Sequence, residues 1–145
     1  MLEREKPPGC VINTSPDPEK IYLGCPGIVI MPNGDYVASH SMFGEGTNYN
    51  QMFIFHSSDA GHSWQPVAEV NGQWWSTLFL YQESLYLMGT NKKDGFVVIR
   101  RSEDGGKNWS EPRNRKTGLL ADDAKYHTAP VPIVVHNGRV WRGME

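Results

Sequence analysis

The sequence predicts an all-β chain that forms part of a β-propeller, and three observations carry that expectation. An eight-residue phrase is written twice: SSDAGHSW (Ser57 to Trp64) and SEDGGKNW (Ser102 to Trp109) both read Ser-x-Asp-x-Gly-x-x-Trp, their starts 45 residues apart. Each copy sits in the same succession of short apolar or alternating runs, broken by Gly, Pro and Asn turns, with no amphipathic helical stretch. The first run of each unit is apolar on both faces, whereas later runs alternate. That gradient suits radial packing, with an inner strand buried on every side and an outer strand partly wet.

The elements follow in order. GIVIM (Gly27 to Met31) is an inner strand, PNGD a turn and DYVASHS a second strand. The polar loop FGEGTNYN leads to MFIFHSS, the first repeated phrase and a fourth strand in QPVAEV. The next unit reads WSTLFLY, a turn at Gln82-Glu83, SLYLMGT, the loop NKKDG, FVVIRRS and the second phrase. A third unit opens at APVPIVV, turns at His136-Asn137-Gly138 and reaches RVWRGME. The expected organisation is an N-terminal extended segment over 1–23 and a partial propeller over 24–145. Its first blade covers about 24–70, its second about 73–113, and the start of a third about 126–145.

Composition narrows the function classes. A formal net charge of -2 gives no electrostatic footprint for nucleic acid or an anionic membrane surface, so neither is expected as a partner. No stretch reaches the ~18 apolar residues of a membrane span. The opening MLEREKPPGC is charged and shows no signal-peptide core. Cys10 and Cys25 are expected as free or partly buried thiols. No cofactor is expected: Asp122 and Asp123 fall far short of a calcium ligand set, and no metal site is indicated.

The repeated phrase reads as a structural staple rather than as a site. Aspartate at a turn accepts backbone N–H bonds, glycine supplies positive φ, and the tryptophan folds back over the turn. Ser57, Asp59, Gly61 and Trp64, with Ser102, Asp104, Gly106 and Trp109, would each close a turn between third and fourth strands. A single reaction does not need its residues once per blade.

These two phrases at blade spacing resemble the Asp-box, or bacterial neuraminidase repeat, of the sialidase superfamily. The resemblance covers roughly Gly24 to the C-terminus and implies a propeller of six or seven blades when complete, of which about two and a half are present. It also implies a periplasmic or extracellular location. The superfamily includes glycosidases, polysaccharide lyases and non-enzymatic binders. Sialidases hold the sugar carboxylate with three arginines, the first in an Arg-Ile-Pro motif; here Leu23-Gly24-Cys25-Pro26 occupies that place. The stretch from Val11 to Gly46 is more similar to the first blade of the seven-bladed group of ulvan lyases and α-L-rhamnosyl-β-1,4-glucuronidases. There a Pro-Asn-Gly-Asp-Tyr-Val-Ala-Ser-His run ends in a histidine facing the site. His40 matches that histidine, although Ser41-Met42-Phe43-Gly44 lacks the group's acidic neighbour.

Strand direction then sorts the candidates. Strands alternate in direction, so the repeated phrases share one end of each blade with the first-to-second-strand turns. His56, His62 and His136 belong to that end. The opposite end receives His40, expected at the exit of a second strand, and His127, expected at the entry to a first strand. The resemblance implies a carbohydrate-active enzyme that cleaves uronate- or deoxysugar-containing glycans, with His40 as a catalytic acid/base group, and strand direction adds His127 as a second. Tyr126, Arg142 and Trp75 are the candidate substrate-binding residues, the last by stacking on a sugar face. The alternatives are an exo-α-sialidase-type hydrolase and a non-catalytic propeller that binds glycan or protein.

Overall fold

The computed structural model describes residues 9–129 and 131–145, so the first eight residues of the expected N-terminal segment and Pro130 of the third unit lie outside the described residues. Two four-stranded antiparallel sheets form, each in strict sequence order. The first contains β1 (Ile21–Ile30), β2 (Tyr36–Gly44), β3 (Gln51–Ser57) and β4 (Gln65–Asn71). The second contains β5 (Trp74–Tyr81), β6 (Ser84–Thr90), β7 (Gly95–Ser102) and β8 (Leu119–Tyr126). A two-stranded ribbon follows, β9 (Val134–His136) and β10 (Arg139–Trp141). The chain is all-β and forms part of a β-propeller.

The second blade differs from its expected bounds. Its fourth strand is Leu119–Tyr126, well beyond residue 113, so the stretch expected as a link between blades is a strand. In the first blade Trp64 leads directly into β4, whereas nine residues, 110–118, intervene between Trp109 and β8. Ser110 still pairs with Arg101 before the chain departs, and Gly118 accepts from the Ile99 N–H as it returns. β8 escaped notice in the sequence because it is an exposed outer strand carrying Asp122, Asp123 and Lys125 rather than an alternating apolar run. The first blade, for its part, begins at Ile21.

The blades pack through one face each. Val37, Met52, Ile54 and Val70 of the first blade meet Leu78, Leu85 and Leu87 of the second, all buried, with Trp109 packed against the cluster. Full burial of each such aliphatic side chain contributes about 2 kcal/mol. Both inner strands carry the same irregularity. Register slips between Gly24 and Gly27 in β1 and between Trp74 and Thr77 in β5, with Cys25 (φ 53) and Trp75 (φ 44) in left-handed backbone. Matching the two bulges makes Cys25 equivalent to Trp75, Ser39 to Met88 and His40 to Gly89.

The repeated phrases form the turns between third and fourth strands. Ser57 Oγ donates to Asp59 Oδ1 at 2.7 Å and accepts from the Gly61 N–H at 2.9 Å. Asp59 then accepts from the Ser63 N–H at 2.9 Å and from its hydroxyl at 2.6 Å, and Trp64 Nε1 donates to the Gly61 carbonyl. The second turn repeats the scheme with Ser102, Asp104, Gly106, Asn108 and Trp109. These bonds hold both aspartates below the usual carboxylate range: Ser63 acts first at Asp59, and Asn108 is the largest lowering influence at Asp104, against a burial that by itself raises it. Gly106 also lies against the other blade. A Cβ there would stand 2.9 Å from Ile54, so the second turn is part of the junction between blades.

Candidate functional site

Strand direction places the 45–50 and 91–94 loops, the start of β5 and the end of β8 at the end of the blades opposite the two repeated turns. An aromatic group gathers there. Successive residues of a regular strand point to opposite faces, but the bulge in β5 turns Trp75 back over Trp74. The two indoles stack at 4.6 Å with 17° between planes. Phe43 meets Trp75 edge-on at 6.0 Å, Tyr49 lies 5.9 Å from Trp74, and His127 lies 5.4 Å from Trp75. Gly24 leaves room for this arrangement, since a Cβ there would lie 2.9 Å from the Phe43 ring.

The left-handed backbone of Trp75 costs about 1–2 kcal/mol and has to be held by its surroundings. Its N–H donates to Ser41 Oγ at 3.1 Å, and its carbonyl accepts from Arg142 Nη2 at 3.1 Å. Cys25 adopts the same conformation in the first blade, so this bulge belongs to the repeat, whereas the indole placed on it is particular to the second blade.

His127 stands at the exit of β8, its backbone paired in both directions with Glu145 at 2.8 Å. Its Nδ1 lies 3.9 Å from Asp94 Oδ1, with 38% and 57% of the two side chains exposed. That spacing is longer than a hydrogen bond. Asp94 in turn follows Lys93, whose backbone N–H donates to the Tyr49 carbonyl and whose ammonium sits 5.5 Å above the Tyr49 ring. Tyr126 is next to His127 in sequence, and its hydroxyl donates to Asp123 Oδ1 at 2.8 Å, a bond that raises the phenol's pKa.

Arg142 reaches the same region but binds protein. Its Nη1 donates to the Met88 carbonyl, and its Nη2 to the Trp75 carbonyl, Thr128 Oγ1 and the Ala129 carbonyl. Burial lowers its pKa to about 10. The same burial pushes Cys25 up to about 11, so this thiol stays protonated and inert. The guanidinium ties the third unit to the bulge of β5; the carboxylate-binding surface expected of it is taken up by carbonyls.

His40 is placed differently from its expectation. It is not at a strand exit, because β2 continues to Gly44, paired with β1 back to Ile21. The side chain is 7% exposed and lies between Phe53 at 5.3 Å and Phe55 at 5.4 Å. Nδ1 contacts the Ser41 carbonyl at 3.1 Å, and a carbonyl can only accept, so Nδ1 carries the proton. Nε2 therefore accepts from Asn13 Nδ2 at 2.9 Å, while Asn13 Oδ1 takes the Thr14 N–H and fixes the amide's orientation. Burial lowers the imidazole pKa, with the Ser41 bond opposing. His40 borders a cavity of ≈ 570 Å³ lined chiefly by apolar side chains such as Val11, Leu23, Ile28 and Phe55. This cavity lies on the face of the first blade turned away from the second. Ser41, the next residue, points the other way, to Trp75.

The structure thus groups Trp75, Tyr126 and His127 at one end of the blades and leaves His40 on the other side of the first sheet. Sequence reasoning missed Asn13, Ser41, Phe43, Tyr49 and Asp94. Only Asp94 carried a local signal, as the Asp-Gly turn before β7. His56 pairs with Asp35 at 3.1 Å beside the repeated turns, as strand direction requires. Among the described residues no group of three or more His, Cys, Asp or Glu side chains is placed to hold a metal, and no helix is long and apolar enough to cross a membrane.

These features define a partial propeller whose loop end carries an aromatic platform beside an imidazole and a carboxylate. The solved structure of an α-L-arabinanase from Penicillium chrysogenum, complexed with arabinobiose, is similar to this chain with a TM-score of 0.51 and 21% identity, over 60% of this chain and 30% of the arabinanase. The chain therefore spans less than a third of that structure's length, and the likeness is one of fold. No protein-family model matches the chain, and no curated protein sequence matches it.

Proposed function

We propose that this chain is the glycan-engaging part of a carbohydrate-active propeller that cleaves uronate- or deoxysugar-containing glycans by imidazole acid/base chemistry. The observation that carries the reading is the grouping of Trp75, His127 and Asp94 at the loop end. An indole face matches the apolar C–H face of a sugar ring, and an imidazole stands beside it to act as acid or base. A lyase route removes the proton beside the uronate carboxylate and protonates the departing oxygen; a hydrolase route protonates the same oxygen while water attacks the anomeric carbon. Asp94 would orient the His127 ring in either route. The resemblance of the repeated turns to those of the sialidase superfamily supports this class, as does the arabinanase of similar fold.

His40 fits the reading less well than His127, because its Nε2 is held by Asn13 and its ring is enclosed. Arg142 favours a second reading. With both terminal nitrogens bonded to carbonyls and the Thr128 hydroxyl and its Nε buried, it offers a uronate no bidentate partner, which suits a propeller that binds glycan without cleaving it. The protein assayed on ulvan, gum arabic and sialyl-lactose separates the two. Ultraviolet absorbance of an unsaturated uronate reports a lyase, and new reducing ends alone report a hydrolase. A His127→Ala variant should lose ~10²–10⁴ in turnover. Unchanged turnover would remove His127, and binding without cleavage on every substrate would establish the second reading.

A further inference from the structure

Trp75 is oriented through its backbone. Its indole Nε1 is buried and has no hydrogen-bond partner among the described residues, so no bond of the ring itself fixes the pose. The stack on Trp74 at 4.6 Å depends instead on the left-handed φ of 44° at Trp75. The slip of register between Trp74 and Thr77 takes the Trp75 N–H out of the ladder between β5 and β6. Its acceptor lies in the other blade: Ser41 Oγ, at 3.1 Å. Ser41 is fully buried in β2, and its hydroxyl proton goes to Met52 Sδ at 2.8 Å. With the proton spent on the thioether, the oxygen's lone pairs remain for the Trp75 N–H. Phe43, two residues further along the same face of β2, meets the edge of the same indole.

The bond is not a recurring part of the blade. Register makes Thr90 the equivalent of Ser41, since Gly24 pairs with Ser41 and Trp74 with Thr90. Thr90 Oγ1 is buried and bonds nothing among the described residues, although Arg142 of the third unit reaches the Met88 carbonyl two residues away. Equal counts back from the turn-closing pairs Tyr81–Ser84 and His136–Arg139 lead to Trp75 in the second blade and to Pro130 in the third unit. Proline has no N–H to give. The bond from one blade to the next therefore serves Trp75 in particular.

We propose that Ser41 is the positioning residue of the Trp75 platform: a hydroxyl of the first blade sets the pose of the indole that the second blade presents to a sugar. The assignment rests on the glycan reading above and adds the residue that holds its platform in place. Ser41 itself is enclosed and touches no sugar. Its loss leaves a buried N–H unpaired unless the bulge turns over, and turning the bulge over takes the indole off Trp74. Only molecules still in the stacked pose then bind, so apparent affinity falls by that fraction.

Two measurements on the 145-residue chain test this. Acrylamide quenching of tryptophan emission reads the pose without a ligand. Ser41→Ala should raise the quenching, Ser41→Thr should leave it as in the wild type, and the rise should vanish in a Trp75→Phe background. A residue that merely held the junction together would expose Trp74 and Trp109 as well, and the rise would survive in that background. Calorimetric titration with oligosaccharides of ulvan and gum arabic and with sialyl-lactose reads the consequence. Ser41→Ala should weaken binding about tenfold, and Ser41→Thr should match the wild type. Unchanged quenching in Ser41→Ala overturns the proposal, as does a rise that persists in Trp75→Phe. If the wild type binds and Ser41→Ala binds equally well, the role of Ser41 falls and the glycan reading stands. If the quenching result holds and the wild type binds none of the sugars, the pose set by Ser41 stands and the glycan reading falls.

Discussion

A histidine pressed between two phenyl rings and capped by an amide is held neutral, and His40 is in that position. Replacing it with alanine opens a cavity and removes the acceptor of the Asn13 amide nitrogen. His40→Ala should therefore cost about 2–4 kcal/mol, read as a drop in the urea midpoint. The pH dependence follows from the lowered pKa. Below about 6.5 the unfolded chain binds a proton at this residue that the folded chain refuses, so the contribution is present above that pH and lost as pH falls toward the folded value. His40→Gln should flatten the fall in stability below that pH, and an unchanged profile would show that other groups cause it. Nothing near His40 in the sequence announced this burial. Its partner Asn13 is 27 residues away, on a segment with no regular strand pattern of its own.

The turns, by contrast, were legible at the scale of the element, because every bond of the Ser-x-Asp-x-Gly-x-x-Trp scheme is made within eight residues. What the phrase alone did not disclose is that its two copies face different neighbours. Both glycines have positive φ, Gly61 at +85 and Gly106 at +91, so alanine strains each backbone by about 1 kcal/mol. Gly61 has 3.4 Å of clearance to Tyr36, but Gly106 has only 2.9 Å to Ile54, inside the junction of the blades. Gly106→Ala should thus lower the unfolding midpoint clearly more than Gly61→Ala, to a total of about 2–3 kcal/mol. Equal costs would mean that the second turn is not part of the junction. β8 was hidden for the opposite reason, since an outer strand dominated by charge has no periodic apolar signal to detect.

Among the described residues the two blades share one buried junction, and their far faces are only partly covered, the first by the segment around Val11 and Asn13. Ile28 and Ile30 are 58% and 59% exposed on the first blade, and Val134, Val135 and Trp141 are about half exposed on the ribbon at the other side. By the equivalence of the bulges, Ile28 and Ala38 correspond to Leu78 and Leu87, which in the second blade are buried against the first. The exposed part of this face, around Ile28 and Ile30, is therefore built like one that a blade covers. Sedimentation velocity should find the 145-residue chain associating as its concentration rises, and Ile28→Lys/Ile30→Lys should suppress this without changing the secondary structure. A monomer at all concentrations would show that the face tolerates water. Blade number and ring closure were not legible, because both depend on contacts that these residues make with other blades.

The paired indoles also make the loop end an optical instrument. Trp74 is 2% exposed, while Trp75, stacked on it, is half-buried with His127 beside it. A sugar laid on Trp75 would strip water from that ring and shift the emission toward the blue. A protonated His127 would quench the same ring by accepting its excited electron. The chain has five tryptophans, but Trp64 and Trp109 are bound into the turns at the other end and Trp141 lies on the ribbon. Titrating an oligosaccharide should thus move the emission of the wild type and leave that of Trp75→Phe unchanged, so that occupancy of one ring can be followed by its light, with no label and no turnover.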